Sequence, residues 1–245
     1  STVNFVFAPA VAFGLSRLVS QDRVLLVGVL FVLLTPCVDY VIVFTGIAGG
    51  AKDRLLAAAP VLMLAQMLLL PFYLWLFVGE ELVGAIDLRP FAEAFVVLIA
   101  FPLMCAALTQ FAAARGPRGR AVQDGFEKAM VPLMMLTLAV VVASQIHEVS
   151  QHVTSLARTV PIYLLFAAAM LPIGAAAAQL AGLDVPSRRA VAFSGATRNS
   201  LVVLPLVLAL PAEYGLAPLV VVTQTLVELI VMVVFVRLVP RLIRA

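Results

Sequence analysis

Eight stretches of this chain are apolar over a length that a soluble protein does not sustain: 3–19, 24–48, 55–78, 91–113, 129–147, 160–182, 187–210 and 214–238. About 20 such residues in a helix cross the hydrocarbon core of a bilayer. The charged residues fall in the separators between them, and only 12% of the chain is charged, against roughly 25% for soluble domains. The fold class expected is an all-α polytopic membrane protein. Period-two alternation is missing, which excludes a membrane β-barrel. The net charge of +3 does not point to nucleic acid, because the basic residues sit in the connecting segments. Cys37 and Cys105 both lie inside apolar runs, so no disulfide framework is expected.

Lysine and arginine set the orientation. One side carries Lys52, Arg54, Arg115, Arg118, Arg120, Lys128, Arg188, Arg189, Arg237, Arg241 and Arg244; the other carries Arg17, Arg23, Arg89 and Arg158. The richer side is expected to be cytoplasmic, with both ends of the chain inside the cell and the protein in the cell (inner) membrane. The chain opens at Ser1 on what is already a span, and further N-terminal spans are expected to precede it.

Two spans read as broken. TPCVDYVIV (35–43) interrupts the run 24–48 with a proline, a thiol and a carboxylate. GATRN (195–199) interrupts 187–210. Each broken span follows a Pro- and Ala-rich helix, FAPAVAFGLSRL (7–18) or MLPIGAAAAQLAGL (170–183), and precedes a helix in which a glutamine stands six residues after a proline. Those last helices contain PVLMLAQMLLL (60–70) and PLVVVTQTLVE (218–228). Two spans separate the units, so the second starts from the opposite side of the membrane. This is an inverted repeat with two crossing discontinuous helices, an architecture of secondary transporters whose sites lie near the midplane. It divides the chain into 1–78, the remainder of the first repeat; 79–157, a two-helix panel; and 158–245, the core of the second repeat. A complete ten-span protein is expected.

The polar residues at the breaks are the candidate site. Proline at 36 removes a backbone donor and disrupts the helix, and the freed groups need partners in protein, water or ligand. Cys37 reads either as a small buried hydrophobe or as a thiolate ligand for a soft centre. Asp39 and Arg198 are costly at mid-membrane depth, at least about 2.5–3.5 kcal/mol each. A buried Asp39–Arg198 pair across the pseudo-two-fold axis is expected, acting either as a structural clasp or as a protonation switch. Thr35, Thr197, Asn199 and Ser200 flank the breaks beside Tyr40 and Thr45. Gln66, Gln224 and Glu228 face the crossover or hold helices together by hydrogen bonds. Substrate binding is assigned to Cys37, Asp39, Arg198, Asn199, Thr35 and Thr197. Ion coupling is assigned to Asp39, Asn199, Ser200, Gln66, Gln224 and Glu228. His147 and His152 stand at a membrane edge without metal-ligand company. Tyr73 and Trp75 suit an aromatic belt.

The order of these features resembles the bile acid:sodium symporter superfamily, and within it the arsenite-efflux permeases. The residues that carry the resemblance are Pro36-Cys37, the half-helix ending in Gly49-Gly50, and SGATRNSLVVLPL (194–206). The resemblance implies that Cys37 is the thiol for trivalent arsenic and that Asn199 opens the second half-helix. The chain departs from that pattern at Val202, where a glutamate is usual, and in carrying Asp39 and Arg198.

No nucleotide-binding loop or hydrolase motif is present, and no cofactor is called for. An intramembrane protease would need a second midplane aspartate or a Ser–His pair, and a sensor would carry an output domain; neither fits this sequence. The expected function is secondary transport, by efflux of arsenite or antimonite against protons. The alternative is sodium-coupled movement of a small organic anion, with Arg198 on the anion and Asp39 and Asn199 on sodium.

Overall fold

The computed structural model describes residues 2–79, 89, 93 and 96–244. The loop expected between residues 80 and 89 and the opening of span 91–113 lie largely outside them. The described residues are helical nearly throughout. A π-helical turn, Val3–Phe7, leads into α1 (Ala8–Ser16), followed by α2 (Arg23–Leu33), α3 (Val41–Ile47) and α4 (Lys52–Val78). Next come α5 (Phe101–Arg115), α6 (Pro117–Gln151) and the short α7 (Val153–Leu156). The chain closes with α8 (Val160–Leu180), α9 (Val185–Ala196), α10 (Ser200–Leu208) and α11 (Ala217–Leu242).

Three helical segments among the described residues are long and apolar enough to cross a membrane: Lys52–Val78, Val153–Leu180 and Ala212–Leu242. Their outward faces are apolar, as at Leu68, Leu180 and Ile230, which in lipid carries no penalty. The segment 117–128, expected as a charged connection, is instead the first third of α6. Pro117 occupies its first turn, where the missing N–H costs nothing, and the charged side chains extend the helix beyond its apolar part.

Local sequence accounts for the ends of the broken helices. Asp22 caps α2, its Oδ1 accepting from the amides of Val24 and Leu25 at 3.1 Å each. Helix α2 stops at Leu33 because Pro36 has no N–H for the carbonyl of Val32. Asn199 caps α10, its Oδ1 accepting from the amide of Val202 at 3.2 Å. Beyond Ile47 and the capping Ala48, the chain leaves α3 at Gly49, whose φ of +67° is a conformation suited to glycine. A side chain there would also collide with Arg189 Nη1, 2.8 Å from an added Cβ. Arg189 in turn donates to the carbonyls of Ala48 and Ile243, tying the C-terminal ends of α3 and α11 to α9.

The core is built on α11, which packs against α2, α8 and α10, while α8 and α9 form a closely paired hairpin. Pro218 lies in the first turn of α11, whereas Pro60 lies well inside α4. The shared Pro-to-Gln spacing therefore does not mark the same point in the two helices. Tyr73, expected at the interface, donates from its hydroxyl to the carbonyl of Phe5 at 2.6 Å. Pro9 lacks the N–H that an α-helix would direct at that carbonyl, and the tyrosine supplies the donor. Trp75 is exposed.

Candidate functional site at the crossing of two broken helices

The two breaks touch. The amide of Asn199 donates to the carbonyl of Thr35 at 2.8 Å, and the amide of Cys37 donates to the carbonyl of Thr197 at 3.2 Å. Together these bonds make an isolated antiparallel bridge centred on Pro36 and Arg198. A bridge of this kind uses the groups of the flanking residues, so the missing N–H of Pro36 leaves nothing unpaired. Each flanking threonine turns its hydroxyl back onto its own helix: Thr35 to the carbonyls of Phe31 and Val32, and Thr197 to that of Phe193.

Diverting these amides sideways frees the carbonyls they would have capped. In an α-helix, Leu33 would receive from Cys37, Ser194 from Arg198, and Gly195 from Asn199. All three amides bond elsewhere. The guanidinium of Arg198 takes the carbonyls instead. Its Nη1 donates to Leu33 at 3.3 Å, and its Nη2 donates to Ser194 at 3.4 Å and to Gly195. Nη2 also donates to Asn4 Oδ1 at 3.1 Å, and the guanidinium carbon lies 4.9 Å from the centre of the Phe166 ring. Asn4 is held in turn by a 2.9 Å bond from its Nδ2 to Ser194 Oγ. Arg198 is completely buried.

The expected Asp39–Arg198 ion pair is not formed. Arg198 lies in the break itself, and its guanidinium is drawn to the C-terminal carbonyls of α2 and α9, where helix dipoles favour a cation. Asp39 is half-buried in the first break, three residues from the bridge position opposite Arg198. The carboxylate at the crossing is Glu228. Its Oε1 accepts from Tyr40 Oη at 2.7 Å, and its Oε2 accepts from the backbone amide of Arg198 at 2.9 Å and from Gln224 Nε2. Glu228 thus joins the first break, the second break and α11.

Ser200 accepts from Thr225 Oγ1 at 2.7 Å. Cys37 is a free thiol at zero exposure, whereas Cys105 is exposed. Several buried polar atoms have no protein partner: both amide atoms of Gln66, Asn199 Nδ2, Gln224 Oε1 and Thr45 Oγ1. Buried polar groups are nearly always satisfied, so these atoms offer hydrogen-bonding capacity to water or a ligand. Gln224 and Glu228 line a cavity of about 10 Å³, room for about one water. A larger cavity, about 250 Å³, runs beside α4 and α9 from Arg54 and Ser187 at one end to Asn4 and Ser194. Near it Arg54 pairs with Asp184 at 2.8 Å. The hydroxyl of Ser187, then Arg54, hold the carboxyl of Asp184 below the usual carboxylate range.

Sequence reasoning missed Asn4 and Phe166; it assigned Glu228 to ion coupling without its partners, and it placed Tyr40 only beside the first break. The one signal for Asn4 was an amide side chain in the apolar run VNFVF. Among the described residues no cluster of ligating side chains suits a metal ion.

No curated protein matches the chain. Residues 1–156, more than half of its length, match the family described as Sodium Bile acid symporter family. The matched region includes the first break, Asn4 and Cys37; the second break and Glu228 lie beyond it. Helices of membrane-spanning length, a crossing of two broken helices and this match agree: the chain belongs to the sodium bile acid symporter family.

Proposed function

We propose that this transporter exports trivalent arsenic or antimony oxyacids, driven by a proton gradient. The observation that carries the reading is Cys37, a free thiol wholly buried beside the backbone bridge between the two breaks. Soft trivalent arsenic prefers sulfur ligands. The thiol of Cys37 exchanges with one As–OH group, forming an S–As bond and releasing water, and the reverse exchange releases the cargo. A single sulfur ligand suits a carrier, which must let go. Glu228, bonded to Tyr40 and to the amide of Arg198, is the proton-carrying group of this reading. An inverted-repeat, ten-span body with a core (1–78 and 158–245) and a panel (79–157) completes it. The antiparallel meeting of the two breaks supports that architecture. So does the excess of Lys and Arg on one side for an inner-membrane protein with cytoplasmic ends.

A second reading follows from the family's own description: symport of an organic anion with sodium. Asp39, half-buried, and Asn199, with its unpartnered Nδ2, would then hold sodium. The guanidinium of Arg198, expected to meet the anion, is instead taken by the carbonyls of Leu33, Ser194 and Gly195 and by Asn4. Arsenite accumulation in cells lacking their own exporters separates the two. Expression of the protein is expected to lower accumulation, and Cys37→Ser at equal membrane level is expected not to. No effect of the parent protein would overturn the arsenite reading and leave sodium-dependent anion uptake to be measured.

A further inference from the structure

The groups around the Arg198 guanidinium are of the type that also surrounds a bound metal cation. Three backbone carbonyls, of Leu33, Ser194 and Gly195, and the side-chain oxygen of Asn4 converge on one positive group. All four are neutral oxygens, the ligand type that hard cations take. Two of the three carbonyls belong to the last turn of α9, and the third to the last residue of α2. The unwound ends of discontinuous helices are where transporters hold a coupling cation. No carboxylate contacts the guanidinium, since Glu228 takes the backbone amide of Arg198 instead.

We propose that the Arg198 guanidinium is a tethered substitute for a monovalent metal cation, and that this oxygen cage becomes a sodium site when the side chain is removed. The crossing then has its positive charge permanently in place. Sodium has no role at this position in the natural protein, whichever substrate is carried. The 250 Å³ cavity touches Asn4 and Ser194, both beside the guanidinium, and so brings open volume next to two residues of the cage. Phe166, on the ring-facing side of the guanidinium, offers its π face to either cation.

The inference goes beyond the transport reading and stands apart from it, so its test reads ion binding and not transport. The thermal midpoint of the purified protein in detergent is compared in sodium chloride and in choline chloride at equal ionic strength, with direct binding of radioactive sodium alongside. Arg198→Lys is expected to show no larger sodium shift than the parent, so that any sodium site elsewhere in the chain cancels in the comparison. Arg198→Ala is expected to gain about 3 °C or more in sodium beyond any shift of the parent and to bind one sodium ion per chain more than the parent. Adding Asn4→Ala to it is expected to abolish both effects. If Arg198→Ala yields folded protein in sodium and none in choline, that also supports the proposal. The proposal is overturned if Arg198→Ala is indifferent to sodium or fails to fold in either salt. It is equally overturned if Arg198→Lys is as unstable as Arg198→Ala, if the parent shows the same sodium shift, or if the shift survives loss of Asn4.

Discussion

Tyr40 and Glu228 stand 188 residues apart in sequence and share a 2.7 Å hydrogen bond where the two broken helices cross. The same carboxylate receives the Arg198 amide. Removing the tyrosine hydroxyl takes away one donor, whereas removing the carboxylate leaves three donors facing nothing. Tyr40→Phe is therefore expected to cost about 1.5–3 kcal/mol, the range for a bond to a charged group. Glu228→Ala is expected to cost more. Glu228→Gln keeps the volume and loses the charge. Under the proton-coupled reading its transport is expected to be flat between external pH 6 and 8, while Tyr40→Phe keeps the dependence of the parent. Transport against pH in proteoliposomes checks this, and a steep profile in Glu228→Gln would remove Glu228 as the proton carrier.

The two thiols differ in access. Cys105 is exposed on α5 and Cys37 has no exposure. A membrane-permeant maleimide is expected to label Cys105 at least about tenfold faster in the folded protein, and both residues equally after denaturation. Cys105→Ala is expected to leave arsenite export unchanged. Equal labelling in the folded state would mean that the first break opens to reagent far more often than this arrangement allows.

Helices α2 and α11 pack tightly at Gly28. A Cβ added there would lie 2.8 Å from Val220 Cβ and 3.1 Å from the carbonyl of Ala217. Small residues allow such close packing in membranes. Gly28→Val is expected to cost about 1–3 kcal/mol by overpacking, read as a fall in thermal midpoint. Gly14, whose added Cβ meets nothing within 4 Å, is the control, and Gly14→Ala is expected to be neutral.

Asp184 gives a pH signature outside the membrane. Its carboxyl is held below the ordinary value by the Ser187 hydroxyl and Arg54. A group with a depressed folded pKa adds stability above its unfolded pKa, and that contribution fades as pH falls through the folded value. The parent is therefore expected to lose its small advantage over Asp184→Asn only below about pH 4. Thermal midpoints of the two proteins from pH 3 to 7 measure it. A gap that widened on acidification would reverse the sign and refute the assignment.

Much of the crossing was legible because proline, glycine and small polar residues interrupt apolar helices at few places. TPC and TRN stood out for that reason, and they are the segments that hydrogen-bond. The partner of Arg198 was not legible. The bridge sets Arg198 against Pro36 and not Asp39, a register that apolar runs do not encode. Which carbonyls lie free depends on where the amides of Cys37 and Asn199 turn, and that is settled by the contact of two distant segments. Glu228 was legible as a carboxylate in an apolar helix and so as an ion-coupling residue, but its bonds to Tyr40 and to the Arg198 amide were not.

The bridge between Cys37 and Thr197 also has a consequence for how the protein is made. The two residues are 160 positions apart, so a ribosome adding about 5–20 residues per second needs on the order of 10–30 s to supply the second after the first. Throughout that interval the Cys37 amide and the Leu33 carbonyl have none of their final partners, in a segment otherwise bound for lipid. The first break must wait in a wet or sheltered place, inside the insertion machinery or against its own helices, until the arginine arrives. Biosynthesis, and not only transport, therefore depends on the polar middle of this protein.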